Sequence, residues 1–313
     1  MHFDKSLIIG VPLYNEMPYI QATLESLASQ SHQDFLVLIA DNNSDDGSSE
    51  ICCDFVKLDP RFLYYRQETN IGASANFRYL FENTDSPYFM WLGAHDILHP
   101  NYIETQLKAL ESEPNIALAY SRTTWIDESG NIIRESSGGE FVHNYDNPLT
   151  RYLKTARGPW EECTAVNGIF RRSALRGVKF FSFAGPDHYI LTRAQFFGKF
   201  FRTESPIYFR REFATRRINY LERISGTPTE DSTADSASMV PLAFEQIKDY
   251  LALDIRPLEK IINFPKLLLS FEIAYQLYTN PIRRALRRGL LLLAPPSVRR
   301  AITDQLRNVF GKH

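Results

Sequence analysis

The sequence predicts an α/β protein with a mostly parallel sheet covered by helices, followed by a C-terminal helical extension. Two observations carry this. Short apolar runs at Ser6–Val11, Phe35–Ala40 and Tyr88–Leu92 read as strands buried on both faces. Each gives way to a polar cluster and then to apolar positions at helical spacing. This strand–turn–helix unit occurs four times before residue 121, and such alternation implies right-handed crossovers between parallel strands.

The elements follow in order. Ser6–Val11 ends in Pro12-Leu13-Tyr14-Asn15-Glu16, and Pro18 suits the first turn of a helix carrying Ile20, Leu24 and Leu27. Phe35–Ala40 ends in Asp41-Asn42-Asn43-Ser44-Asp45-Asp46-Gly47, ahead of a helix marked by Ile51, Phe55 and Leu58. Phe62–Arg66 is a short strand before Asn70-Ile71-Gly72-Ala73-Ser74-Ala75-Asn76, and Phe77, Leu80 and Phe81 mark the next helix. Tyr88–Leu92 releases His95 and Asp96 at its tip, then come a helix with Ile103, Leu107 and Leu110 and a strand at Ile116–Tyr120. Every polar cluster follows a strand and precedes a helix, so all of them should line one edge of the sheet, where open α/β sheets bind ligands.

The middle is less regular. Asp127–Asn131 reads as a hairpin turn, Asn147-Pro148 opens a short helix, and Gly185-Pro186-Asp187 opens another that Gly198 closes. Lys199–Arg210 reads as a pair of strands, and Ser225–Ser238, without apolar periodicity, as a mobile loop or lid. Beyond Val240, helices are expected over about 240–253, 257–279, 281–294 and 296–310, punctuated by Phe264-Pro265, Asn280-Pro281 and Pro295-Pro296. The division falls between residues 1–238 and 239–313.

Composition narrows the function. A hydrophobic content of 44% and 23% charged residues are those of an ordinary globular protein. The net charge of −2 gives no reason to expect nucleic acid as a partner. Three cysteines make no disulfide framework and no zinc pattern, which fits a reducing cytosol. Met-His-Phe-Asp-Lys leads directly into the first strand without a signal-peptide pattern, and no apolar stretch of about 18 residues predicts a spanning helix.

The sheet edge offers what a nucleoside diphosphate needs. Pro12 and Tyr14 give a flat wall for a base, and Asp41, Asn42 and Asn43 give in-plane acceptors and donors. Asn70-x-Gly72 with Asn76 gives a tight turn into a helix N-terminus, where backbone N–H groups favour anions. The alternative for Asp41–Gly47 is Asx-turns and helix capping.

These residues resemble the family 2 inverting glycosyltransferases of the GT-A fold, a Rossmann-like, mostly parallel sheet with flanking helices. The resemblance rests on Ile8–Glu16, Asp41–Ser48, Asn70-Ile71-Gly72 and Leu92–Pro100. It is strong over about residues 5–125 and weak to about 215. It implies a nucleotide-sugar donor held by Pro12, Tyr14, Asn15, Glu16, Asp41, Asn42, Asn70, Gly72, Asn76 and Asp96. It also implies a glycan or lipid-linked acceptor, and a cytoplasmic location at the inner face of the membrane.

The resemblance has one break. The family frame Leu-Asp-x-Asp-Asp-x-Leu-x-Pro becomes Leu92-Gly93-Ala94-His95-Asp96-Ile97-Leu98-His99-Pro100. In the family a carboxylate here ligates a divalent metal that offsets the diphosphate charge. Three arrangements are open. His95 ligates Mn²⁺, Asp96 shifts to take Mn²⁺ or Mg²⁺, or the site is metal-independent with His95 or nearby arginines offsetting the charge. Metal use, through His95 and Asp96, ranks first.

Inverting transfer needs a base for the acceptor hydroxyl. By position in the family pattern this is Asp187, with Glu161 and Glu162 as fallback and helix capping as the alternative for Asp187. Trp160 could stack on a sugar, and Arg210, Arg211, Arg216 and Arg217 could clamp the diphosphate. From Pro281 to His313 eight basic residues face Asp304 alone, a net of +7 that leaves −9 for the rest. Arg283, Arg284, Arg287 and Arg288 share a helix face opposite Leu286, Leu290 and Leu293, the pattern of a helix lying on an anionic membrane or packing in a homo-oligomer. Two other classes compete with an enzyme of this family. One is a non-catalytic nucleotide- or glycan-binding relative that lost its metal site. The other is a nucleotidyltransferase, opposed by the lack of a Gly-rich loop with a Lys.

Overall fold

The computed structural model describes residues 5–135, 143–158, 163–181, 185–213 and 239–274. In the first third, β1 (Leu7–Leu13), β2 (Phe35–Asp41), β3 (Phe62–Arg66) and β4 (Tyr88–Trp91) alternate with α1 (Met17–Ala28), α2 (Ser48–Leu58) and α3 (Ala73–Glu82). There follow β5 (Ile97–Leu98), α4 (Tyr102–Ser112), β6 (Ile116–Ile126), β7 (Ile132–Glu135) and α5 (Pro148–Ala156). Then come β8 (Ile169–Arg171), α6 (Pro186–Phe197), β9 (Lys199–Arg211), α7 (Met239–Ala252) and α8 (Pro257–Ala274).

The strands form one sheet in the order β3-β2-β1-β4-β8-β6-β9-β5, with β7 beside β6. β1 to β4, β6 and β9 run one way, while β8, β7 and β5 are antiparallel to their neighbours. The predicted, mostly parallel α/β architecture is present.

Strand alternation explains why the central runs are apolar throughout. Ile8, Leu36, Leu38, Phe89 and Trp91 face a layer with Leu80 of α3, Tyr152 of α5 and Leu191 of α6. Leu7, Ile9, Val11, Val37 and Met90 face the other layer, with Leu24 of α1, Cys52 of α2 and Leu107 of α4. α7 adds Leu242, Ala243, Ile247 and Tyr250 to the first layer, so its apolar face belongs to the main core. Asp249 of α7 pairs with Arg193 and accepts from Tyr189 at 3.4 Å, tying α7 to α6. The expected division at 238/239 borders a stretch, 214–238, outside the described residues.

Three local expectations change. β6 runs on past Tyr120 to Ile126, because β9 pairs along its whole length. β9 is one strand rather than two: register shifts against β6 around Ser121, Arg122 and Thr123 absorb the Ser205-Pro206 interruption. β5 was not anticipated, because two residues form a strand here only by pairing with Tyr208 and Phe209. Pro265 lies inside α8, within the helix expected over about 257–279. The hairpin turn, by contrast, stands as expected, with Asp127 Oδ1 accepting from Ser129 and Asn131 N–H at 2.8 Å each.

Close approach sets one glycine. A Cβ on Gly168 would lie 2.6 Å from the Ala119 carbonyl, so a side chain there would push β8 off β6.

Candidate active site

Four strand ends meet at one edge. Leu13 is in register with Asp41, and Asp41 with Arg66, while Leu92 N–H donates to the Gly10 carbonyl at 3.0 Å. Pro12–Glu16, Asp41–Gly47, Asn70–Asn76 and Gly93–Asp96 therefore line a common rim.

Most of the polar side chains on this rim are engaged with each other. Asp41 is fully buried. Its Oδ1 accepts from Ser44 N–H at 2.8 Å and Ser44 Oγ at 2.6 Å, and its Oδ2 from Ser49 Oγ at 2.7 Å and Tyr64 OH at 2.5 Å. Burial pushes the Asp41 carboxyl up, and the hydrogen bonds from Ser44, Tyr64 and Ser49 more than reverse this, holding it below its ordinary value. Arg66 reaches Asp41 at 3.5 Å and donates to the Ser44 carbonyl at 2.7 Å.

The asparagines lace neighbouring loops. Asn42 donates to Asn70 Oδ1 at 2.7 Å and accepts from Ile71 N–H at 2.8 Å, and Asn70 Oδ1 also accepts from Gly72 N–H at 2.9 Å. Asn76 donates to the Ala40 carbonyl at 2.7 Å. Asn15, at φ +53°, exchanges hydrogen bonds with Asp45, and Glu16 N–H donates to Ser48 Oγ at 2.9 Å. Gly72 precedes α3 at φ +83°, so the turn into that helix needs a residue without a Cβ penalty. Of the expected donor-binding set, Tyr14, at 46% exposure, and Asn70 are exposed, and Pro12 is half-buried.

The β4 tip carries a second network. His95 Nδ1 lies 3.1 Å from Glu16 Oε1, and His95 Nε2 lies 3.8 Å from Asp96 Oδ1. Asp96 Oδ2 accepts from Tyr208 OH at 2.5 Å, and its Oδ1 from Arg211 N–H at 2.9 Å. The Arg211 guanidinium donates to the His95, Asp127 and Glu128 carbonyls, so it braces the rim from behind. Phe213 packs edge-on against His95 and Tyr19.

These residues do not fit the expected metal. Gly93 provides no ligand, and a Cβ there would sit 2.8 Å from Asp96 Oδ2. Both Asp96 oxygens already accept hydrogen bonds, and Asp96 is 3% exposed. Among the described residues no cluster of three or more His, Cys, Asp or Glu side chains is arranged to hold a metal ion.

Asp187 stands in the first turn of α6, behind Gly185 at φ +85° and Pro186. Burial pushes its carboxyl up, and the charge of Arg210 opposes that shift. Arg210 stacks 4.9 Å from the Trp125 ring, and its charge is also felt by the Tyr208 hydroxyl. One guanidinium thus acts on both the candidate base and the Asp96 network. The adjacent His188 is structural: it is fully buried, Nε2 donates to the Thr155 carbonyl at 3.0 Å, and Nδ1 lies 3.1 Å from Gln246 Nε2. Trp160, Glu161, Glu162, Arg216, Arg217, the 225–238 loop and the 281–313 tail lie outside the described residues.

Residues 8–179 match the family described as Glycosyl transferase family 2. The chain belongs to that family. A glycosyltransferase of Methanocaldococcus jannaschii is 31% identical over 135 residues, 42% of this chain and 47% of that protein. Glycosyltransferase GlyA of Streptococcus pneumoniae is 31% identical over 119 residues, 38% of this chain and 17% of that protein. The chain thus spans less than half the length of these two relatives.

Among solved structures, S. aureus TarS 1–349 in complex with UDP-GlcNAc superposes with a TM-score of 0.66 at 16% identity, over 96% of this chain and 85% of that one. The mannosyltransferase PcManGT of Pyrobaculum calidifontis, in complex with GDP-Man and Mn²⁺, gives 0.50 at 13% identity, over 99% and 89%. These likenesses bear on the fold, which is GT-A-like. The chain thus carries a Glycosyl transferase family 2 domain on a GT-A-like fold.

The family match stops before α6 and β9, so Asp187, Tyr208 and Arg211 lie beyond it. The sequence reading missed Arg66, Tyr64 and Tyr208. Arg66 was findable, since it ends a strand at the same edge as Asp41. Nothing in the local pattern marks Tyr208, which reaches Asp96 across 112 residues.

Proposed function

We propose that the chain transfers a sugar from a nucleotide-sugar donor to a glycan or lipid-linked acceptor with inversion at the anomeric carbon. One observation carries this reading: in a family 2 chain, four strand-end segments converge on one sheet edge that includes an exposed Tyr14 and a hydrogen-bonded turn into α3. Tyr14 and Pro12 form the stacking wall for the base. Asp41, Asn42, Asn70 and Asn76 fix the loops that shape the pocket, and Asn15 and Glu16 fix the approach to α1. Anionic oxygens of the donor lie toward the N-terminus of α3 and the β4 tip.

Asp187 is the base in this reading. As the acceptor hydroxyl oxygen attacks the anomeric carbon, its proton passes to an Asp187 carboxylate oxygen. The bond from that carbon to the diphosphate oxygen breaks, and the nucleoside diphosphate leaves with the electron pair. Desolvation of Asp187 supports the assignment, because it brings a carboxyl closer to the basicity a general base needs. Among the described residues no helix is long and apolar enough to cross a membrane. We assign the basic 281–313 segment to contact with an anionic inner-membrane surface or a second copy of the chain, next to a lipid-linked acceptor.

A panel of UDP-, GDP- and dTDP-sugars, followed by release of nucleoside diphosphate, tests the reading. Turnover of at least one donor is expected. Binding without turnover across donors and acceptors would favour the alternative, a non-catalytic nucleotide- or glycan-binding relative, for which the missing Asp-x-Asp speaks.

A further inference from the structure

The β4 tip carries an imidazole where the family resemblance calls for a metal-binding carboxylate, and its surroundings show what that imidazole can do. Its two nitrogens face two carboxylates on opposite sides of the ring: Glu16 Oε1 at 3.1 Å from Nδ1 and Asp96 Oδ1 at 3.8 Å from Nε2. A carboxylate oxygen accepts hydrogen bonds, so each ring nitrogen faces a group to which an N–H can donate. The same placement keeps the carboxylates apart: no single ion can touch an imidazole nitrogen and both of them while the Glu16 contact stands.

Tyr208 OH and Arg211 N–H each donate to one Asp96 oxygen, so the carboxylate is anchored to β9. Gly93 leaves the space above Asp96 Oδ2 and His95 Nε2 without a side chain, its missing Cβ lying 2.8 Å and 3.4 Å from those atoms. Glu16 is 5% exposed, whereas the His95 side chain is 20% exposed, so the ring and not its partner reaches the rim. Arg211 closes the back of the ring through the His95 carbonyl, and Phe213 packs edge-on against its side.

We propose that His95, positioned by Glu16, replaces the divalent metal: its Nε2–H donates to an oxygen of the departing diphosphate, so that donor binding and transfer need no metal ion. The ring moves off Asp96 Oδ1 toward the diphosphate oxygen in the space Gly93 leaves open and keeps its contact with Glu16. Glu16 is a positioning residue, while His95 touches the leaving group. This inference rests on the donor reading above.

The test is calorimetric titration of UDP, GDP and dTDP, with the matching nucleosides, into protein freed of metal by EDTA and then resupplied with Mn²⁺ or Mg²⁺. At least one diphosphate is expected to bind, with affinity unchanged within about twofold by metal. A charge-assisted hydrogen bond contributes about tenfold or more, so His95→Gln should weaken that diphosphate by this factor and leave the nucleoside unaffected. Glu16→Gln should lower the preference for diphosphate over nucleoside, an effect that a purely structural role would not produce. His95→Asp should make diphosphate binding depend on Mn²⁺.

Wild-type affinity that rises about tenfold on adding metal overturns the proposal, whatever the variants do. Undiminished diphosphate affinity in His95→Gln also overturns it. If none of the three diphosphates binds the wild type in any condition, the donor reading itself has failed.

Discussion

Tyr208 donates a hydrogen bond to Asp96 at 2.5 Å and so clamps the last described strand of the sheet to the tip of β4. Both residues are nearly fully buried, Asp96 at 3% and Tyr208 at 2% exposure. Burial pushes the Tyr208 hydroxyl well above its ordinary value, with the Asp96 charge adding to the shift, so it stays a donor across the working pH range. Removing that hydroxyl leaves a buried carboxylate oxygen short of one donor. Tyr208→Phe should therefore cost about 1–3 kcal/mol in chemical denaturation, the usual penalty for an unpaired buried polar group. A cost near zero would mean that Asp96 finds another donor and that the clamp is dispensable.

Gly93 is held to its identity by Asp96. Since a Cβ would lie 2.8 Å from Asp96 Oδ2, Gly93→Ala should displace that carboxylate and lower the melting temperature, with a loss of about 1–3 kcal/mol by analogy with other overpacked sites. Gly93→Asp, which restores the family carboxylate, should lose stability and still gain no metal affinity in a Mn²⁺ titration. Tight Mn²⁺ binding by that variant would show that the rim can rearrange.

The fold was legible wherever both faces of a strand are buried. Leu7–Val11, Phe35–Ala40 and Tyr88–Trp91 announce themselves because no position along them can be polar. β5 and the unbroken β9 were not legible, since Ile97–Leu98 is a strand only through Tyr208 and Phe209, and Pro206 looks like a break until β6 shifts register around it. At the site, chain order put Asp41, Asn42 and Asn70 on the correct edge. Where their lone pairs go is decided by tertiary contacts: Ser44, Ser49 of α2 and Tyr64 of β3 converge on Asp41, and Asn42 turns to Asn70. The Glu16–His95 pair spans 79 residues and has no local signature.

His188 predicts the acid limit of stability. Burial lowers it from its ordinary 6.5 to about 4, so the folded state resists a proton that the unfolded chain takes up readily. Its contribution is intact above pH 6.5 and is lost as pH falls toward about 4, amounting to ~3 kcal/mol over the window. His188→Gln should flatten the fall in stability between those limits. Equal slopes for variant and wild type would assign acid unfolding to other groups.

Asp187 predicts the opposite dependence. Because burial raises its folded value above the unfolded one, the folded state keeps the proton longer. Stability is greatest below the ordinary carboxylate range and falls as pH rises through the raised value. Asp187→Asn removes that cost, so its melting temperature should exceed the wild type's at neutral pH, with the gain vanishing as pH falls below the ordinary carboxylate range. For the wild type, kcat should rise with pH to a plateau with an inflection above the ordinary aspartate value of about 3.9.

The most direct test of the account is Asp187→Asn assayed with the first donor on which the wild type turns over. Nucleoside diphosphate binding should stay within about twofold, because the donor rim is built from other elements, while kcat falls by about 100-fold or more, the contribution of a general base. Turnover within about twofold of the wild type would remove Asp187 from the chemistry and contradict the proposed mechanism.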